Sequence, residues 1–174
     1  MQATIGNYTL SIKGELPAPK RPVLLCVGSG PDALEQAAAF RAHTPCDVAA
    51  CNEAIALYPG KLALAATLHE DMLAGWVNNR PNQSARPCTV ANDPAEGVDV
   101  VVAMDRACGS SGMYLALLGR LMGYPRIVLA GIKIEREGED AYRAIWRAAK
   151  AKGALEGAES LTPGWLCQLL KGAA

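Results

Sequence analysis

The sequence is short of most features that mark a class at once. Lysine plus arginine and aspartate plus glutamate number 17 each, so no excess of positive charge draws the chain to nucleic acid. Aromatics are few, and no basic run is interleaved with them. No apolar run approaches the roughly 18 residues needed to span a bilayer. The opening MQATIGNYTLSIKGE carries no secretory apolar segment. These shortages argue for a cytoplasmic protein with no nucleic-acid or membrane partner. Histidines number two, and the six cysteines include no C-x-x-C pair, so a zinc site lacks clustered ligands. Cys26, Cys46, Cys51, Cys88, Cys108 and Cys167 read instead as reduced thiols packed as small hydrophobes. Cys108 stands apart because it adjoins a Gly-Ser turn, although a lone thiol without a nearby base is ordinarily inert.

What is present is a regular alternation. At 174 residues the chain fits one domain with a substantial core. NYTLSIKG predicts an edge strand or hairpin arm, whose open side would suit a homodimer. The proline-rich ELPAPKRP must be an irregular connector. PVLLCVG, CDVAAC and KLALAAT are short unbroken apolar runs, as expected of parallel strands buried on both faces. CTVAN, VDVVVAM and RIVLAG add three more. Between them lie helical stretches. In SGPDALEQAAAFRAH, Leu34, Ala37, Ala38 and Ala42 recur at helical spacing, and LHEDMLAGWVNN opens with acidic residues in its first turn. A further helix is expected from Ser110 to Met122. GEDAYRAIWRAAKAKG places Tyr142, Ile145, Trp146 and Ala149 on one stripe, and TPGWLCQLLKG closes the chain as a short helix. Strands alternating with helices predict a single α/β domain: an open, mostly parallel sheet with helices on both faces.

In such sheets ligands bind beyond the carboxyl ends of the strands. The residues that follow each strand are therefore the candidates: Gly28, Ser29, Gly30 and Pro31; Asn52 and Glu53; Leu68, His69 and Glu70; and, before the later helix, Gly109, Ser110, Ser111 and Gly112. Each group also has a purely structural reading. VGSGPDA suits a tight strand-to-helix turn, yet its glycines and serine would also bare backbone N–H groups to an anion. It is neither G-x-G-x-x-G nor a P-loop. Asn52 is a turn residue by default, but its amide can pair with a base or sugar. One serine of GSSG suffices as a helix cap; the flanking glycines suggest a close approach to the backbone.

Taken in order, LLCVGSGP, ACN, TLH before a helix ending in GW, and GSSGMYLALLGRLMGYPRIVLAGI resemble the Rossmann-like nucleotide-binding core of bacterial sialyltransferases that use CMP-sialic acid. The same order is similar to archaeal-type 6-hydroxymethyl-dihydropterin pyrophosphokinases and, most of all, to small uncharacterised phage and prophage relatives. The resemblance covers roughly residues 22 to 134, with an echo at Pro163-Gly164-Trp165. It implies a Rossmann-like fold, with an N-terminal strand and connector over 1–21, a nucleotide-binding core over 22–134 and C-terminal helices over 135–174. It also implies that Gly28, Ser29, Gly30, Pro31, Asn52, Gly109, Ser110, Ser111 and Gly112 hold a CMP-type or other nucleotide or nucleotide-sugar. The chain departs from the pattern in two places. The strand's usual Gly-x-Asp sequel is Gly131-Ile132-Lys133, and no histidine follows His69.

The expected function is thus a nucleotide or nucleotide-sugar binding protein. Where it is catalytic, it would transfer a glycosyl or diphosphate group with His69 as the candidate acid, base or phosphate contact. Mg²⁺ would have Glu53, Glu70, Asp71 or Asp105 to choose from, but no ligand spacing argues for a metal site. The alternative is a non-catalytic protein that senses or sequesters a nucleotide or serves in assembly. A serine or Cys108 nucleophile is disfavoured because no motif places a base beside it.

Overall fold

The computed structural model describes residues 1–105, 108, 110–134 and 140–172. Its centre is formed by the apolar runs. β3 (Val23–Val27), β4 (Asp47–Ala50), β5 (Leu64–Thr67), β6 (Cys88–Ala91), β7 (Val100–Met104) and β8 (Arg126–Ala130) all lie in one sheet. β3 is buried at every residue, so its side chains face helices on both sides, which is why its sequence does not alternate. Two elements flank this set. A hairpin, β1 (Gln2–Ile5) with β2 (Tyr8–Lys13), adds antiparallel to β7, and β9 (Ala158–Ser160) adds parallel to β8. The nine described strands run in the order β1-β2-β7-β6-β5-β4-β3-β8-β9.

The helices divide between the two faces according to the direction the chain takes across the sheet. α1 (Ala33–His43), α2 (Ala54–Leu57) and α3 (Glu70–Asn78) connect β3 stepwise to β6 and bury Ala37, Ile55 and Leu73 against Val27, Val48 and Ala65. The step from β7 back to β8 runs the other way. Because parallel crossovers are right-handed, its helix α4 (Ser111–Leu121) falls on the opposite face, with α5 (Asp140–Ala151) and α6 (Trp165–Lys171). α4 is buried over nine consecutive residues, Ser111–Gly119. It packs on β3, β5 and β8 and also touches β1, which accounts for an apolar surface all round rather than a single stripe. At Gly119 a Cβ would come within 2.9 Å of Ile127 Cδ1 and 3.0 Å of Leu24 Cδ2, so glycine there lets the helix sit low on the sheet.

Several sequence expectations need adjusting. NYTLSIKG is β2, the hairpin arm of the two alternatives expected, paired on both sides, and the edge strand is β1 before it. The α1 stripe is misplaced: Ala33 and Ala37 are buried and Phe40 packs beside them, whereas Leu34 is 39% exposed and Ala38 and Ala42 face outward. On α5, Trp146 and Ala149 are buried and Ile145 packs against the core, but Tyr142 is 45% exposed. Among the described residues no helix is long and apolar enough to cross a membrane.

One glycine at the end of β8 holds two layers together. Gly131 has a φ of 65°, and a Cβ there would lie 2.7 Å from the Ala33 backbone. Its N–H is taken by Gln36 Oε1 at 3.0 Å and Thr162 Oγ1 at 2.9 Å. Gly131→Ala is expected to cost about 3 kcal/mol from the unfavourable φ and overpacking. Urea denaturation should show a lower midpoint with an unchanged slope.

Candidate functional site

The chain changes direction between β3 and β8. From β3 it leaves through α1 to β4 on one side, whereas β8, on the other side, is entered from α4. A switch of this kind leaves a crevice beyond the carboxyl ends of the strands. Here it measures about 450 Å³, within the range of small-molecule sites. It is lined by Gly28, Ser29, Gly30 and Pro31 after β3, Cys51 and Asn52 after β4, Ser110, Ser111 and Gly112 at the start of α4, and Gly131, Ile132 and Lys133 after β8. Eight of the expected binding residues therefore come together. Gly109 lies outside the described residues. His69 is exposed at the N-cap of α3 and is not among the lining residues.

A hydrogen-bonded chain ties these segments to one another. Asn52 has a φ of 54°, and it is the one non-glycine among the described residues with a positive φ. Asparagine tolerates that region better than most residues. Its Oδ1 accepts from Thr67 Oγ1 at 2.8 Å, which fixes the amide and leaves Nδ2 as a donor with no partner among the described residues. Thr67 in turn accepts from the His69 N–H at 3.0 Å and lies 3.5 Å from Ser111 Oγ. Ser111 Oγ accepts from the Leu68 N–H at 3.2 Å. Ser110 is the α4 cap, its Oγ accepting from the Met113 N–H at 3.2 Å. The N–H groups of Ser111 and Gly112 donate to no carbonyl among the described residues, and they carry the positive end of the helix dipole to the crevice.

The first loop behaves differently from expectation. The N–H of Gly28 donates to the Ala130 carbonyl and that of Gly30 to the Gly131 carbonyl, each at 2.8 Å. Those two donors continue the β3–β8 ladder and are not open to an anion. Glycine is required there because Gly131 and Ile132 press on the loop: a Cβ on Gly30 would meet the Gly131 carbonyl oxygen at 2.5 Å, and one on Gly28 would meet Ile132 Cγ1 at 2.6 Å. At Gly112 the neighbour is Ile132 Cγ2, at 2.7 Å. All three glycines accommodate protein rather than ligand. What sequence reasoning missed is Lys133, the cation at the crevice, which lies 3.5 Å from Asp32 in a partly exposed ion pair. Its signal was present as the lysine standing in the Gly-x-Asp position.

The chemistry available at the crevice is limited. Cys51 lines it, but burial and then the charge of Glu53 push its thiol up to about 12. Burial likewise raises Cys108 to about 11, and its Sγ sits 3.5 Å from the Ser110 carbonyl oxygen. Neither is a thiolate near neutral pH. Among the described residues no three His, Cys, Asp or Glu side chains cluster to hold a metal. The chain matches no protein-family profile, no curated protein and no solved structure.

Two stability measurements probe this region. Asn52→Ala should cost about 1 kcal/mol more than Asn52→Gly, because only the alanine is strained at positive φ. Equal costs by urea denaturation would contradict that. The raised thiols set a second. A thiol of ordinary value 9.0 in the unfolded chain loses its proton before its folded counterpart, so stability is intact below pH 9 and falls as pH rises towards 12. The fall approaches about 1.4 kcal/mol per pH unit for each such thiol. Cys51→Ala should flatten the slope measured between pH 9 and 10.5.

Proposed function

We propose that the chain binds a nucleotide or nucleotide-sugar in the crevice at the carboxyl edge, and that binding rather than acid–base chemistry is its principal activity. The observation that carries this reading is the pair of unlike donors facing one crevice. At one wall stands the fixed Asn52 amide with Nδ2 available, suited to an acceptor on a base or sugar. At the other stand the α4 N-terminus and Lys133, suited to phosphate. The resemblance to the CMP-sialic-acid sialyltransferase core adds a reason to begin with cytidine nucleotides.

Binding is preferred to transfer for a specific reason. Among the described lining residues no histidine or carboxylate is present, and burial holds the Cys51 thiol well above neutral pH. A transferase would need His69 or a group on the substrate to supply that role.

A thermal-shift panel of CMP, CDP, UDP, GDP and ATP, each with and without Mg²⁺, tests the reading. A ligand at a hundred times its dissociation constant should add about 2.7 kcal/mol of stability. Lys133→Gln should weaken a phosphate ligand by about tenfold, and Asn52→Ala should remove discrimination between bases. No rise with any nucleotide would refute the proposal. Turnover that disappears in His69→Ala would replace binding with catalysis as the principal activity.

A further inference from the structure

A second and larger cavity, of about 730 Å³, lies at the opposite edge of the sheet, where the strands begin. It is bounded by residues just before β3, β5 and β8 and by the first residues of β4 and β6. The strands between the two edges have four or five residues, which separates this cavity from the crevice by roughly 15 Å. It is therefore a different site from the one assigned to the nucleotide.

Its charge is one-sided. Lys20, Arg21, Arg41, Lys61 and Arg86 line it against a single carboxylate, Asp47, although acidic and basic residues balance over the whole chain. That carboxylate has a structural task. Its Oδ2 accepts from the N–H groups of Lys20 at 2.7 Å and Arg21 at 3.0 Å and from the Tyr124 hydroxyl at 2.8 Å. Asp47 thus pins the connector across the strand ends and keeps two cationic residues at the rim.

The five cations fall into two groups. Arg41 Nη1 donates to the Tyr58 hydroxyl at 2.8 Å, and Arg86 is held by Asp99 at 2.8 and 2.9 Å, so both guanidinium groups are oriented in advance. The side chains of Lys20, Arg21 and Lys61 have no hydrogen bond or ion pair with any described residue. Beneath them Leu62, Val48 and Tyr124 are buried and form an apolar floor. A cleft lined by one sign of charge over low-dielectric walls concentrates counter-ions. Guanidinium groups favour phosphate oxygens in particular.

We propose that this amino-edge cavity is a binding site for a small organic phosphate, a molecule with two or more negative charges carried on an apolar or planar body. The cations take the phosphates and the Leu62–Val48–Tyr124 floor takes the body.

Titration calorimetry with ATP and with inorganic pyrophosphate tests this in the full chain. The key variant is Lys20→Gln/Arg21→Gln/Lys61→Gln, whose three side chains are exposed and unpaired, with thermal melting in the absence of ligand to check that it folds. ATP should bind the native chain, bind at least tenfold more weakly to the triple variant, and weaken as NaCl rises from about 50 to 300 mM. Pyrophosphate should bind more weakly than ATP, since it lacks the body. In a Lys133→Gln background, where the crevice is already weakened, the triple variant should still bind ATP at least tenfold more weakly than its parent, which separates failure here from failure of the crevice reading. Absence of ATP binding at millimolar concentration, equal affinity in the triple variant and its parent in either background, or pyrophosphate binding as tightly as ATP would each overturn the proposal.

Discussion

The structure depends on how low α4 lies across the sheet. The helix carries the chain from β7 back over the intervening strands to β8, and that reversal creates the crevice. It can do so only because its surface is apolar on every side and because Gly112 and Gly119 leave room for Ile132, Ile127 and Leu24. Its position is fixed at the start as well as along its length. Ser110 caps it, Ser111 bonds the backbone of Leu68 after β5, and the Tyr114 hydroxyl donates to the Val102 carbonyl at 3.0 Å. The positive end of the helix is thereby held over the ends of the central strands. A helix seated higher, or started a residue later, would aim its free N–H groups elsewhere.

The two edges of the sheet use their polar groups in different ways. At the carboxyl edge hydroxyls and an amide form a closed chain, and the donors left over are few and oriented. At the amino edge one carboxylate organises the backbone, and the side chains of Lys20, Arg21 and Lys61 are left without partners among the described residues. β4 contributes to both, with Asp47 at its first residue and Asn52 two residues past its last. It is a short strand, and the rigid part between these residues is buried: Val48, Ala49, Ala50 and Cys51.

The central architecture was legible because its physical causes are local. Unbroken apolar runs of about five residues mark parallel strands covered on both faces, and the polar or glycine-rich residues after each run mark the edge where a crevice forms. The errors arose where local pattern carries little information. β9, Ala158-Glu159-Ser160, has three residues and no apolar run, so it pairs by opportunity beside β8. In α1 most candidate core positions are alanines, whose burial or exposure changes the free energy too little to reveal a face; the stripe read from Leu34 was wrong for that reason. Lys133 was seen only as a departure from a motif, although a cation at the end of a central strand has a use of its own at an anion site.

The glycines show the hardest limit. A glycine at a strand-to-helix turn announces that something comes within contact distance of the backbone, but not whether that thing is ligand or protein. At Gly28, Gly30 and Gly112 it is protein: Ile132 and the Gly131 carbonyl occupy the space where side chains would stand. The sequence contains no local mark of this, because the contacting residues are about 100 positions away from the first loop. The case for a ligand must therefore rest on donors that folding leaves without partners. By that criterion GSSG contributes through the helix end it caps, Asn52 through the half of its amide that Thr67 does not hold, and the first loop chiefly through its shape.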